Sequence, residues 1–313
     1  MRKFIFKRLI YGILVMWGVF SIVFILFAVL PVNSAIMTMG QRSDVSSEEA
    51  VKKDLGLDLP LGIRYVNFCN DFLPISFHNA SNPESVFYLH PDKYQAKPLF
   101  YFGKEQVCVV KTPYLGRSYQ SKRPVLEMLN EAFPKTALLA LLSIVFAIMV
   151  GMVIGILCAV FKDSWFDRLA IIFSVTGMAL PSFFAAILFA WIFAFLLADY
   201  TGLNMFGSLY TVSDFGDGEY LDLKNLILPA FTLGIRPLAT VVQLMRNSVL
   251  EVMSQNYVQT AFAKGLSFFN VVRKHVVKNA LNPVVTAISG WLAGMMAGAV
   301  YVEYIFDYKG LRR

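Results

Sequence analysis

Apolar positions in this chain gather into five long blocks. Leu9–Leu30, Thr136–Phe161 and Leu169–Ala198 carry no charge, Leu226–Met245 is apolar apart from Arg236, and Pro283–Val302 is again uncharged. A helix needs about 20 mainly apolar residues to cross a bilayer, and irregular backbone finds no hydrogen-bond partner in lipid. Each block therefore predicts a spanning helix, and the expected fold class is an all-α integral membrane protein with five transmembrane helices. The third block is long enough to tilt or bend, and Pro181 in its middle supplies a kink site. The first block begins basic, with Arg2, Lys3, Lys7 and Arg8, as a signal peptide does. Its apolar stretch is longer than the ~7–15 residues of a signal core, and Val32-Asn33-Ser34-Ala35 is a poor cleavage site, so an uncleaved helix is expected.

Composition agrees with a membrane protein: 57% of the residues are hydrophobic and 16% charged, with a mean hydropathy of +0.58. A soluble domain is about 45–50% apolar and about 25% charged. The formal charge of +7 is not arranged as the basic stripe with interleaved aromatics that nucleic acid selects. It follows more simply from cationic loops held inside. Segment 246–282 holds Arg246, Lys264, Arg273, Lys274 and Lys278 against Glu251, whereas 199–225 holds Asp199, Asp214, Asp217, Glu219 and Asp222 against Lys224. With a cytoplasmic N-terminus, counting helices puts 246–282 and 162–168 inside and 199–225 outside, so both contrasts run in the expected direction.

The remaining segment, 31–135, falls outside and is nearly charge-balanced. Ser46-Ser47-Glu48-Glu49 reads as a cap and first helical turn, and Val86–Val110 reads as short strands and turns. Cys69 and Cys108 both lie here and either pair or stay free thiols. His78 and His90 read as solvated loop residues. Three Cys and three His are too few for a Cys-rich scaffold and argue against a metal site of four protein ligands, so no metal site is expected. The division expected is 1–124, a spanning helix plus the external segment, and 125–313, a membrane core. Within the core, Gly151 with Gly155, and Gly290, Gly294 and Gly298, recur at intervals of four. Such stripes let helices pack closely, either inside the chain or against a second subunit. Arg236 either lines a path through the membrane or pairs with a carboxylate or helix-end carbonyls.

The chain contains no G-x-x-x-x-G-K-[ST], H-E-x-x-H or G-x-S-x-G sequence, and its few intramembrane polar groups form no nucleophile–base set. If it moves a solute actively, the energy comes from an ion gradient or from a separate ATPase. The most informative stretch is 248–283. Ser248–Lys264 is helix-compatible, Gly265 suits a left-handed C-cap, and a second helix near Phe268–Ala280 leads to Pro283, which opens the fifth span. Ala261, Ala263 and Gly265 allow a partner backbone to approach closely. On spacing alone this is either a rigid projection or an amphipathic connector on the membrane surface.

The residues Tyr257, Val258, Thr260, Ala261, Ala263, Lys264, Gly265, Leu266 and Ser267, followed by His275, Asn279, Ala280 and Pro283, resemble the EAA loop of ABC importer permeases in its dipeptide/oligopeptide/nickel variant. Gln259 stands where the general motif has Glu. The basic start Arg2–Leu9, Leu55-Gly56-Leu57-Asp58-Leu59-Pro60-Leu61, Leu115-Gly116-Arg117-Ser118, Phe133-Pro134-Lys135-Thr136 and Val302-Glu303-Tyr304-Ile305-Phe306 extend the resemblance over most of the chain. It implies a type I ABC importer permease fold in the bacterial inner membrane, multi-pass, with a cytoplasmic N-terminus. The loop would be the coupling element seated on an ABC ATPase, with Tyr257, Gln259, Thr260, Ala261, Ala263, Lys264, Gly265, His275, Asn279 and Pro283 at the contact. Partners implied are a second homologous permease, ATPase subunits, an extracytoplasmic solute-binding protein and membrane lipid. No cofactor is expected on this chain, ATP-Mg being used by the partner. Residues 76–113 read as an insertion in the external loop. Gly310-Leu311-Arg312-Arg313 stands where relatives read G-L-G and run on into a sixth helix, which implies a missing span. An ion-driven secondary transporter is the competing reading. It normally shows inverted repeats and intramembrane acids, and neither is found here.

Overall fold

The computed structural model describes residues 2–29, 59–118 apart from 84, 92 and 104, residue 121, 123–212 and 218–311. The expected helix start at 46–49 and the 55–58 part of the Leu-Gly-Leu-Asp motif lie outside these residues. The chain forms two compact units, Met1–Met128 and Leu129–Arg313.

In the first unit, α1 (Arg2–Val29) is one uninterrupted helix. Its apolar side chains are almost all exposed, Phe24 being buried, as a helix that presents its sides to lipid requires. Helix α2 (Leu61–Phe72) repeats Leu61, Tyr65, Phe68 and Phe72 along one stripe. Phe20 of α1 lies 4.2 Å from the Phe68 ring and 4.6 Å from Phe72, while Phe24 lies 5.1 Å from Tyr65. Contacts that advance along α1 retreat along α2, so the two are antiparallel there. Ser21 and the Tyr65 hydroxyl close the contact at 2.6 Å.

Strands β1 (Ile75–Asn79), β2 (Ala96–Phe102) and β3 (Gln106–Lys111) form an antiparallel sheet with β3 central. The first strand starts before the stretch expected to hold strands, and within that stretch Tyr88 forms an isolated bridge with Asn79 ahead of β2. Cys69 and Cys108 are both free. Alternation along β3 puts Cys108 on the face opposite Lys111. It is Lys111 that reaches α2, donating from Nζ to the Asp71 carbonyl at 2.9 Å. His78 is not solvated as expected: it is 2% exposed and lies 3.0 Å from Ser76 Oγ. Burial, then the Lys111 charge, pushes its imidazole down to about 4. Burial also pushes the Lys111 ammonium down to about 8, against the pull of Asp71. Asp71 accepts from Lys93 Nζ at 3.1 and 2.9 Å and from the Tyr94 hydroxyl.

The second unit is built on three long helices: α3 (Val125–Val160), α7 (Lys224–Met253) and α10 (Val277–Phe306). Between α3 and α7 run α4 (Trp165–Ala179), α5 (Ser182–Trp191), a π-helical turn (Ile192–Leu196), α6 (Ala198–Thr201) and the small hairpin β4–β5 (Tyr210–Val212, Glu219–Leu221). The third apolar block bends at Pro181 as expected, and does so as a full break between two helices. Leu180 and Pro181 are both extended, because proline drives the preceding residue out of the helical region, and the two halves are bent by 116°.

Among the described residues four helices are long and apolar enough to cross a membrane, and the bent pair counts as a fifth when read as one span. Its contacts move one way along α7. Asp167 meets Arg246, Gly177 faces Ile235 and Ala239, Phe189 and Phe193 pack on Phe231, and Asn204 bonds Asn225. Within the pair the contacts run from residue 246 to 231, about 22 Å of helix, so the pair follows α7 through much of the depth of a bilayer core.

Two buried clusters fill the unit. One joins Leu139, Leu226, Leu233, Ala299, Val302 and Phe306, among others. The other joins Ala159, Val241, Val249, Val258, Val276 and Val284, among others.

Candidate functional site

The stretch 248–283 forms a projection, though not with the helix limits expected. α7 ends at Met253, Gln255 is extended (φ −74°, ψ 144°), and a new helix, α8 (Asn256–Ala263), begins. The expected single helix Ser248–Lys264 is therefore broken in two. Gly265 is left-handed at φ +81°. Its N–H donates to the Phe262 carbonyl at 2.9 Å, and that of Leu266 to Ala261 at 3.3 Å. These are the paired bonds of a Schellman cap, which turns the chain sharply into α9 (Phe268–Val271) and a π-helical turn (Val272–Val276). Helical backbone then continues to Phe306, so Pro283 lies inside a helix and does not open the span.

Burial separates the expected contact residues into two groups. Ala261 is 7% exposed and Val258 fully buried, both in the second cluster with Val271 and Ala280. Ala261 therefore faces its own chain and not a partner. Spacing explains this: 258 and 261 share the inner face of α8. Gln259, Thr260, Ala263, Lys264 and Gly265 are exposed, continuous with Leu266, Phe268 and Phe269. Three polar side chains brace the shape from within. Gln259 Nε2 donates to the Met253 carbonyl (3.2 Å) across the break. Thr260 Oγ1 donates to Asn256 O (2.9 Å). Asn279 Nδ2 donates to the Tyr257 hydroxyl (2.9 Å) and to the carbonyl of half-buried His275 (2.8 Å), tying α8 to the start of α10.

Where α7 enters this projection, an ion pair appears that residue patterns did not indicate. Arg246 donates from Nε and Nη2 to the two oxygens of Asp167, each at 2.6 Å. The Asp167 side chain is 2% exposed and that of Arg246 16%. A third donor, the N–H of Asp163, reaches Asp167 Oδ2 at 3.0 Å. Ser164 caps α4 by accepting from the Asp167 N–H. The available signal was Ser164 followed three residues on by an acid, a capping pattern.

The opposite end of the unit is also held by polar groups. Buried Glu303 accepts from Thr136, whose oxygen also accepts the Leu311 N–H at 3.0 Å. Gly310 passes so close that a β-carbon would stand 2.0 Å from Glu303 Oε1. Tyr308, fully buried, donates to the Lys135 carbonyl at 3.1 Å.

The remaining expected residues fall as follows. Gly151 and Gly155 pack on α7. Gly290 and Gly294 have nothing within 4 Å of an added β-carbon, and Gly298 has Leu233 at 3.8 Å. Arg236 is exposed on α7, and no carboxylate pairs with it among the described residues.

The arrangement is a set of spans with a braced projection at one end. Residues 151–313 match the family described as binding-protein-dependent transport system inner membrane component, and residues 1–82 match the N-terminal part of such membrane components. The dipeptide transport system permease protein DppB of Alkalihalophilus pseudofirmus is 27% identical across all of this chain and 86% of its own length. A putative peptide transport system permease protein of Brucella abortus is 32% identical, again over all of this chain and 85% of its own. The glutathione transport system permease protein GsiC of Salmonella typhimurium is 30% identical with the same coverage.

Proposed function

The chain belongs to the family of binding-protein-dependent transport system inner membrane components, and on that premise we propose that it is one of two permease subunits of an ATP-driven importer for short peptides or related solutes. As a permease it is a multi-pass protein of the inner membrane, and it is not itself the catalytic subunit. The observation that carries the coupling role is the projection 254–276: a Schellman-capped turn, braced by Gln259 and Asn279 and seated on buried Val258 and Ala261. Transmitting motion between proteins requires a surface that keeps its shape while the partner moves. The chain has no phosphate-binding loop of the G-x-x-x-x-G-K-[ST] type, so ATP-Mg belongs to a separate ATPase. That subunit seats on Gln259, Thr260, Ala263, Lys264 and Gly265, with Phe269, which is 69% exposed, beside them.

The cations of the projection support a cytoplasmic N-terminus by the positive-inside rule. The names of the relatives, which include dipeptide, peptide and glutathione, support a short peptide as solute. That Arg236 is exposed and has no carboxylate partner among the described residues supports a role in meeting a solute carboxylate or carbonyl. An extracytoplasmic solute-binding protein delivers the solute, and a homologous permease completes the path.

The test is affinity purification of the chain expressed with its neighbouring genes, followed by uptake into proteoliposomes. Co-purification of an ATPase and peptide uptake that requires ATP and the binding protein are expected. Uptake driven by an ion gradient without ATP would assign the chain to the secondary transporters instead.

A further inference from the structure

The bent pair α4–α5 is attached to the rest of its unit in an uneven way. Of the fifteen residues of α4, those buried are Asp167, Ser174 and Gly177. Its large side chains, Trp165, Phe166, Leu169, Ile172, Phe173 and Val175, are exposed. No large apolar side chain of α4 is fully buried, Ile171 being half-buried. At Gly177 an added β-carbon would sit 3.5 Å from Ile235, an ordinary contact without interlocking. Packed helices whose contact is not interlocked by large side chains accommodate small sliding motions. The polar anchor of α4 is the Asp167 carboxylate, held by both arms of the Arg246 guanidinium at 2.6 Å and by the Asp163 N–H at 3.0 Å.

The location of this attachment matters. Arg246 lies seven residues before the end of α7, among the buried residues Met245 and Val249. These belong to the cluster that includes Val258 and Ala261 of the projection. On its other side, the Arg246 N–H stands 3.2 Å from where a β-carbon of Gly155 would lie. The ends of α3, α4 and α7 therefore meet at one point, at the root of the projection. Beyond α4 the chain bends by 116°, and Ala186 and Ala190 of α5 are buried in the other cluster. One half of the bent pair follows the projection, the other follows the far end, and Leu180–Pro181 lies between them.

We infer that the Asp167–Arg246 pair is the strut that carries displacement of the projection into α4, so that both are positioning residues for ATP-driven transport. A buried ion pair is a poor way to add stability, since apolar residues of equal volume often serve as well. A two-pronged guanidinium–carboxylate contact, by contrast, fixes distance and orientation together. That is what a strut needs and a merely adhesive contact does not. The inference rests on the permease reading, and the experiment keeps the two apart.

The experiment is solute taken up per ATP hydrolysed, measured for the whole transporter in proteoliposomes with its binding protein. Asp167→Asn is expected to assemble, to hydrolyse ATP, and to lose about tenfold in that ratio, within the range over which residues on a coupling route act. Arg246→Lys keeps the charge and loses one of the two parallel bonds, and a drop of about threefold is expected. The exchange Asp167→Arg with Arg246→Asp should recover part of the loss. If Asp167→Asn does not assemble, Arg246→Lys decides: an unchanged ratio overturns the strut. So does a pattern in which yield, uptake and hydrolysis fall together at constant ratio, which is what a structural role gives. Failure of the unaltered chain to support ATP-driven uptake would instead overturn the permease reading.

Discussion

Two glycine stripes with the same four-residue spacing have opposite surroundings. In α3, a β-carbon at Gly155 would stand 2.7 Å from the Val242 carbonyl oxygen and 2.8 Å from Met245 Cβ, and one at Gly151 would meet Val241 at 2.9 Å. In α10, Gly290 and Gly294 have nothing within 4 Å. The first stripe is a seam on which backbones of one chain touch; small residues there are a condition of the fold. The second is a bare strip on a membrane helix, flanked by exposed Thr286, Ser289, Ala293 and Ala297. Spacing announces a smooth face and says nothing about what lies against it. We propose that the second strip meets a second permease subunit. Substitutions that add volume to each stripe separate the two cases.

The largest effect is expected at the seam. Gly155→Leu puts a branched side chain where backbone atoms of α7 already sit. Those atoms cannot yield as a flexible side chain can, and overpacking costs typically ~1–3 kcal/mol even where the neighbours are side chains. Folded chain recovered from detergent should fall severely. Gly151→Leu should act likewise and somewhat less, its nearest neighbour being a Val side chain. Normal yield and melting temperature for Gly155→Leu would mean that α3 and α7 do not touch as described.

Next comes the bare strip. Gly294→Leu should leave insertion, yield and melting of the isolated chain unchanged, while the amount of second permease that co-purifies drops by about tenfold, as expected if the added volume costs the contact ~1–3 kcal/mol. Unaltered pairing would assign the strip to lipid or to the solute path.

Gly265 tests a third kind of glycine, kept for its conformation and not for space. Its φ is +81° and a β-carbon would meet nothing. Gly265→Leu therefore costs the left-handed penalty of ~1–2 kcal/mol, spread over a cap whose neighbours remain in place. The spans should insert normally, and binding of the ATPase, read by pull-down, should weaken because the exposed turn changes shape and volume. Normal binding and transport would remove the turn from the contact. Ala261→Glu separates the faces of α8. Since Ala261 is buried within its own chain, this variant should fail at folding before docking can be measured.

Much of the fold was legible because membrane spans are written locally: each apolar block supplies its own length and hydrogen bonds, so five crossings could be counted without knowing their neighbours. The left-handed turn at Gly265 was legible for the same reason. Features that depend on a partner far along the chain were not. Asp167 and Arg246 are 79 residues apart, and Arg246 read as one more loop cation. The kink site at Pro181 was legible but its size was not: composition is the same for a slight kink and for a 116° bend, and only the contacts along α7 tell them apart. Ala261 and Ala263 are the same residue type two positions apart, one buried and one exposed, and only the break at Ser254–Gln255 sets the rotation of α8 that decides between them. His78 was misjudged because neither the packing around it nor Ser76 beside it appears as a pattern.

The smallest effect is expected at Gly298, and its sign matters more than its size. This residue belongs to the α10 stripe by spacing, yet its nearest neighbour lies on α7: an added β-carbon would stand 3.8 Å from Leu233 Cδ1. That is ordinary van der Waals contact. A methyl group there fills space without displacing anything, and glycine within a helix is less favourable than alanine by ~0.5–1 kcal/mol. Gly298→Ala should therefore be neutral to slightly stabilising, raising the melting temperature of the detergent-purified chain by a small amount. Gly155→Ala, with the same methyl group added at the seam, should lower it. Opposite signs for one chemical change at two glycines of matching spacing would show that contact distance, not the stripe, decides. A loss of stability at Gly298 comparable to that at Gly155 would mean that α7 and α10 approach more closely than 3.8 Å implies, and that the α10 stripe is a second internal seam.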